Sequence, residues 1–202
     1  MKTQIITIFA ALVLGFGVTN SASAATVKNT DNSYTVLTDV SAINKIEVRG
    51  NVQLYISDGA ADQVKVYNKY YSQSALVQSK NGVLRIASYS TDKLVVWVTA
   101  NDLRAISAYD NSEVKSFGDI SKIEFDVDLH NHASAKLNID AFSASLTVND
   151  DAKASLSGNV NEYALSCDRD ENVDHKNLVA CHTSKKQAQS QVTAKGFDLA
   201  DL

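Results

Sequence analysis

The chain of 202 residues contains no proline and only eight glycines. Proline deletes a ladder hydrogen bond, so its absence suits uninterrupted β-sheet. No segment sustains the 3.6-residue apolar period of an amphipathic helix. Ile5 to Val18 is too short to span a bilayer comfortably, and no other apolar run is long enough to cross a membrane. Cysteine is limited to Cys167 and Cys181, so a single bridge is the most it can contribute. No excess of basic charge is present either. The formal net charge is −4, which argues against nucleic acid or an anionic membrane surface as a partner. No catalytic motif outweighs a structural explanation of the same residues.

What the chain does contain is a repeat. Ile106-Ser107-Ala108-Tyr109-Asp110 returns as Val127-Asp128-Leu129-His130-Asn131. It returns again as Leu146-Thr147-Val148-Asn149-Asp150 and as Leu165-Ser166-Cys167-Asp168-Arg169. The spacings are 21, 19 and 19 residues. Each unit sets two apolar or small residues around one polar residue and ends in a polar corner. In a strand, positions i and i+2 share a face, so Val127 and Leu129 point one way and Asp128 the other. Ile120, Ala141, Val160 and Val179 repeat at the same spacings, as do Ile123, Ala144 and Tyr163 over the shorter span they cover. Self-similarity near 20 residues predicts an all-β solenoid, a parallel β-helix in which like residues stack over like. The alternative is an antiparallel meander of the same period. It needs tight hairpin turns, and Asn-Gly and Asp-Gly are missing from this region.

Taken in order, residues 1–24 read as a signal peptide. Lys2 supplies the positive region, Ile5 to Val18 the apolar run, and Ala22-Ser23-Ala24 the cleavage site. Its removal takes away one lysine and leaves 18 basic against 23 acidic residues, a net charge of −5. Residues 25–33 read as a flexible arm, 34–190 as one domain, and 191–202 as a C-terminal tail, with the repeat losing phase after Thr183. Short alternating strands are expected at Lys45 to Arg49, Val52 to Ile56 and Gln63 to Tyr67. Asn81-Gly82, between Leu76 to Lys80 and Val83 to Ala87, is the strongest hairpin signal. Leu94 to Val98 holds the only tryptophan and is nearly all apolar, so it reads as a strand buried on both faces.

Ile46-Glu47-Val48-Arg49-Gly50-Asn51-Val52 leads into an alternating strand that ends at Asp58-Gly59. The Asn81-Gly82 hairpin, Leu94 to Val98 and the repeated coils follow. This order resembles the head GIN domain of the putative auto-transporter adhesins of Bacteroidetes-type bacteria. The resemblance covers roughly residues 34–190. It implies a right-handed parallel β-helix, an exported protein and an adhesin-like role, and it brings no catalytic residues. The corners depart from the family's Ser-Gly-Ala-Ser-like pattern. Here they read Tyr109-Asp110-Asn111-Ser112, His130-Asn131-His132-Ala133 and Asn149-Asp150-Asp151-Ala152. Asp and Asn also tolerate left-handed backbone, so the substitution is compatible with the fold.

Several residue groups invite a chemical reading. Asp110, Asn131 and Asp150 form a corner ladder that offers oxygens to a ligand such as a cation or polyol, or simply caps the bends. His130 and His132 near Asp128 have a weak metal-ligand pattern, and solvated corner histidines explain them better. Cys167 and Cys181 lie 14 residues apart, less than one coil, so a bridge between them requires a distorted last coil, and both states stay open. Tyr67, Tyr70 and Tyr71 with Lys69 either stack on sugar or fill a junction between hairpins. No cofactor or metal site is expected.

Three function classes follow. The first is a non-enzymatic exported binding module, adhesin-like, in the periplasm or at the cell surface. Its partner would be a glycan or a cell-surface protein. The second is an assembly protein that pairs with copies of itself. The third is a polysaccharide-acting enzyme, which would need acidic residues converging on one face. Asp126 and Asp128 instead neighbour Ser145 and Thr147, a hydroxyl-rich surface.

Overall fold

The structure, a computed structural model, describes residues 34–37, 40, 42–67 and 75–187. The leader and arm read into residues 1–33, the tail at 191–202, and Lys69, Tyr70 and Tyr71 lie outside the described residues. Among the described residues the fold is all-β, with no α-helix and one 3-10 turn at Asp170–Asn172. No helix of the described residues is long and apolar enough to cross a membrane.

The N-terminal strands are β1 (Thr35–Leu37), β2 (Lys45–Gly50), β3 (Val52–Asp58), β4 (Gln63–Val66), β5 (Ala75–Lys80), β6 (Val83–Ser88) and β7 (Leu94–Ala100). The repeat supplies β8 (Ala105–Ala108), β9 (Glu113–Ser116), β10 (Ile120–Leu129), β11 (Ser134–Val148), β12 (Lys153–Cys167) and β13 (Val173–Gln187). All thirteen join one curled sheet. The alternating residues become alternating environments. In β2 and β3, Ile46, Val48, Val52, Leu54 and Ile56 are buried, whereas the alternate residues Glu47, Arg49, Gln53 and Tyr55 are not. Removing such side chains from water is the main stabilising contribution, at about 25 cal/mol per Å² of apolar surface.

Two apolar columns run through the stack. Ile86, Val48, Ala108, Leu129, Val148 and Cys167 are successive register partners, and so are Val96, Leu54, Val114, Ala135, Ala154 and Val173. Every pairing in these columns is parallel, which excludes the antiparallel meander. The Asn81-Gly82 hairpin forms as expected, with β5 antiparallel to β6 and positive φ at both turn residues. Chain order and spatial order differ. The segment β2–β3 lies between β6–β7 on one side and β8–β9 on the other.

Val127 does lie between Ile106 and Leu146, and Leu146 pairs with Leu165. The other two series hold in part: Ala141 pairs with Val160 and Ala144 with Tyr163, and the remaining members are shifted. Ile120 pairs with Ile139 rather than Ala141, and Ala144 pairs with Phe125 rather than Ile123, which is exposed. The cause is local. The offset is 21 residues at Lys115 and Lys136 but 19 at Ile120 and Ile139, so two extra residues are absorbed within Phe117-Gly118-Asp119. A register shift between Ser155 and Ser157 likewise puts Val179 opposite Asn159 and leaves it exposed. The phase also persists beyond Thr183, because β13 stays paired with β12 through Gln187. Nor is Leu94 to Val98 buried on both faces. Leu94, Val96 and Val98 are buried, whereas Val95 and Trp97 are half-exposed.

Candidate functional site

Each corner is a four-residue turn. The N–H groups of Ser112, Ala133 and Ala152 donate to the carbonyls of Tyr109, His130 and Asn149, three residues back. Asp110, Asn131 and Asp150 each take φ near +60° (60°, 59° and 59°). That left-handed position favours Gly, Asn or Asp, which accounts for these residue types at the corners. Their side chains face one another along the stack. Gly50 donates its N–H to Asp110 Oδ2 (3.1 Å), Asp110 to Asn131 Oδ1 (3.2 Å), Asn131 to Asp150 Oδ2 (2.9 Å) and Asp150 to Asp168 Oδ2 (2.8 Å). The corner ladder is therefore a set of cross-repeat caps for backbone N–H groups.

The histidines diverge. His130 stacks flat beneath Tyr109, with ring centroids 4.8 Å apart, and its Nε2 lies 2.9 Å from Asp128. Arg49 covers the other face of Tyr109 at 3.8 Å. His132 points toward Asp151 at 3.8 Å. Among the described residues no three His, Cys, Asp or Glu side chains converge as a metal site.

The two cysteines are free, so the bridge left open by the sequence is absent. Cys167 is buried and donates to Asp170 Oδ1 (3.3 Å), while Cys181 is exposed on the outer surface beside Asn161. Register explains it: Gln187, not Cys181, sits opposite Cys167. Burial, then the Asp170 contact, pushes the Cys167 thiol pKa up, which disfavours thiolate chemistry there. Near the β13 end, the Tyr163 hydroxyl is buried without a hydrogen-bond partner among the described residues, and His175 meets its ring edge-on.

A different surface gathers five aromatic side chains, Tyr34, Tyr55, Tyr67, Trp97 and Phe117. On the outer face of β4, β7, β3 and β9, one row places Lys65 opposite Trp97, Trp97 opposite Tyr55, and Tyr55 opposite Lys115. Trp97 stacks on Tyr55 (5.5 Å, 23°) and meets Phe117 at 4.9 Å. Phe117, from the two-residue insertion, is 65% exposed. Beyond Lys65, Tyr67 (43% exposed) packs on Tyr34 at 5.3 Å, and the Lys65 ammonium lies 5.8 Å from the Tyr34 ring. Polar groups frame the rings. Trp97 Nε1 donates to Ser57 Oγ (3.2 Å), Ser57 meets the Thr99 hydroxyl (3.0 Å), and Gln53 donates to Glu113 (3.3 Å). Lys93 and Lys115 both pair with Glu113. Hydrogen bonding from Lys93 first, and from Lys115, holds the Glu113 carboxyl below the usual carboxylate range, against an opposing effect of burial.

Sequence reasoning found only Tyr67 of this surface. The alternation of Tyr55, Lys65 and Trp97 with buried neighbours was the available signal, and reading Leu94 to Val98 as doubly buried concealed it.

Comparisons with known proteins place this geometry among relatives. The family model described as putative auto-transporter adhesin, head GIN domain, matches residues 42–195. A crystal structure of a putative adhesin from Bacteroides fragilis superposes with a TM-score of 0.67 at 14% identity, covering 76% of this chain and 75% of that one. A putative adhesin from Parabacteroides distasonis gives 0.55 at 18% identity, covering 78% and 79%. A second protein of that organism, described as a putative lipid binding protein, gives 0.53 at 10%, also covering 78% and 79%. At these identities the likeness is one of fold. No curated protein matches the sequence.

Proposed function

Since the chain belongs to the putative auto-transporter adhesin, head GIN domain family, we propose that it is a non-enzymatic binding module of adhesin type, working at the cell envelope or outside it. The leader-like residues 1–24 support export. We read the stacked parallel ladders as a right-handed parallel β-helix, the hand that parallel crossover connections take in nearly all cases. The step from family to role is analogy, and it gains support from the site rather than from the fold.

The observation that carries the proposal is the outer aromatic and lysine face. It is held by four strands in fixed register, so little ordering is needed to present it to a partner. The corner ladder, by contrast, uses its oxygens on the chain's own backbone. The test is retention of labelled full-length protein on intact bacterial and epithelial cells, run beside a polysaccharide depolymerisation screen. Saturable retention, competed by unlabelled protein and without product release, is expected. Robust turnover overturns the non-enzymatic reading. Absence of saturable retention overturns the binding reading, and sedimentation as an ordered oligomer then favours the assembly role.

A further inference from the structure

We infer that the face built from Trp97, Tyr55, Phe117 and Lys65 is a glycan-binding platform, and that the sugars it prefers are acidic pyranoses. The inference rests on the binding-module reading above and gives it a ligand class.

A pyranose ring presents a sheet of C–H groups on one side and hydroxyls around its rim. A complementary surface therefore offers aromatic faces interrupted by hydrogen-bonding groups. Here the rings with the most free surface are Phe117, 65% exposed, and Tyr67, 43% exposed, beside the mutually stacked pair Trp97 and Tyr55. Neighbouring strands lie about 4.8 Å apart, so Lys65, Trp97, Tyr55 and Lys115 follow one another across the strands at that step. Phe117 extends the aromatic surface on the Trp97 side. Ser57, Thr99 and Gln53 supply hydroxyl and amide groups along its margins.

Charge selects among sugars. The chain carries net charge −4, yet among the described residues of this face Lys65, Lys93 and Lys115 stand against the carboxylate of Glu113. Lys93 and Lys115 are engaged by Glu113, whereas no ion pair to Lys65 is found among the described residues. Lys65 is half-buried, opposite Trp97 on the neighbouring strand and with its ammonium 5.8 Å from the Tyr34 ring, where it reaches a carboxylate projecting from a stacked sugar. A lipid surface fits less well, because lysine and hydroxyl groups interrupt the rings and leave no continuous apolar patch. A protein partner would favour a core depleted of lysine.

Trp97 is the only tryptophan in the chain, so its emission reports directly on this face. The experiment titrates full-length protein with oligogalacturonides and sialyl-oligosaccharides, with their methyl-esterified forms as controls of the same ring shape. A saturable change in Trp97 emission with the acidic forms is expected. Phe117→Ala should weaken that binding at least tenfold, and Lys65→Gln should remove the preference for acid over ester. Thermal melts check that both variants fold. Glycan or cell retention with unchanged Trp97 emission and a silent Phe117→Ala overturns the inference while leaving the binding-module reading intact. The inference is equally overturned if only phosphatidylglycerol vesicles, or a rise in protein concentration, alter the emission. Loss of cell retention altogether is the separate failure of the broader reading.

Discussion

The carboxylate of Asp150 accepts the backbone N–H of Asn131, nineteen residues earlier in the chain, at 2.9 Å. The same residue sits at φ +59°. One side chain thus caps a neighbouring repeat while its own backbone occupies a conformation that few residues tolerate. Asp150→Ala loses both features and is expected to destabilise the fold by about 2 kcal/mol, roughly 1 from the hydrogen bond and 1 from the left-handed backbone. Asp150→Asn keeps both and should lose far less. Denaturant titration distinguishes them, and equal losses in the two variants would count against the cap.

Gly158 and Gly118 both have positive φ, 106° and 80°, but differ in surroundings. A Cβ at Gly158 would stand 2.1 Å from the Ile139 carbonyl oxygen, whereas one at Gly118 meets nothing within 4 Å. Gly158→Ala is therefore expected to cost about 3–5 kcal/mol, from backbone strain plus a clash that β11 and β12 must open to relieve. Gly118→Ala should cost only about 1 kcal/mol. Thermal midpoints of the two variants provide the comparison.

Thiol titration checks the cysteines. In the native protein, without reductant, Cys181 should react promptly with a disulfide-exchange reagent and Cys167 should not, because it is buried and its pKa is raised. On denaturation both should react. A denatured, unreduced chain with no titratable thiol would establish a bridge instead.

Acid stability should depend on Glu113. Its folded pKa is depressed by Lys93 and Lys115, so its contribution is complete above the unfolded carboxylate value of about 4.3 and is lost as pH falls through the lower folded value. The difference in thermal midpoint between wild type and Glu113→Gln is expected to be steady above about pH 5 and to close below about pH 4. A difference that ignores pH would mean that the lysines act through packing alone.

The repeat was legible because side-chain parity is a local property. Ile106, Val127, Leu146 and Leu165 announce their shared column through spacing alone, and Asp110, Asn131 and Asp150 announce the bends through their tolerance of positive φ. The Ile120 and Ala141 series misleads because spacing does not say where within a repeat two additional residues are taken up. Here they fall at Phe117-Gly118-Asp119, and everything after them in that repeat shifts by two. The aromatic face was mostly hidden for a related reason. Tyr34, Tyr55, Tyr67, Trp97 and Phe117 are scattered over more than eighty residues and share no period.

The amino-acid order alone therefore determined an all-β chain, its apolar phase and its Asp and Asn corners, since each arises from neighbours a few residues apart. Only the tertiary structure decided that β2–β3 lies between β6–β7 and β8–β9, and hence that Tyr55 lies against Trp97. Which way a strand faces follows from its own residues. Which strand lies beside it is settled by the packing of the whole chain, and the proposed binding face exists only at that level.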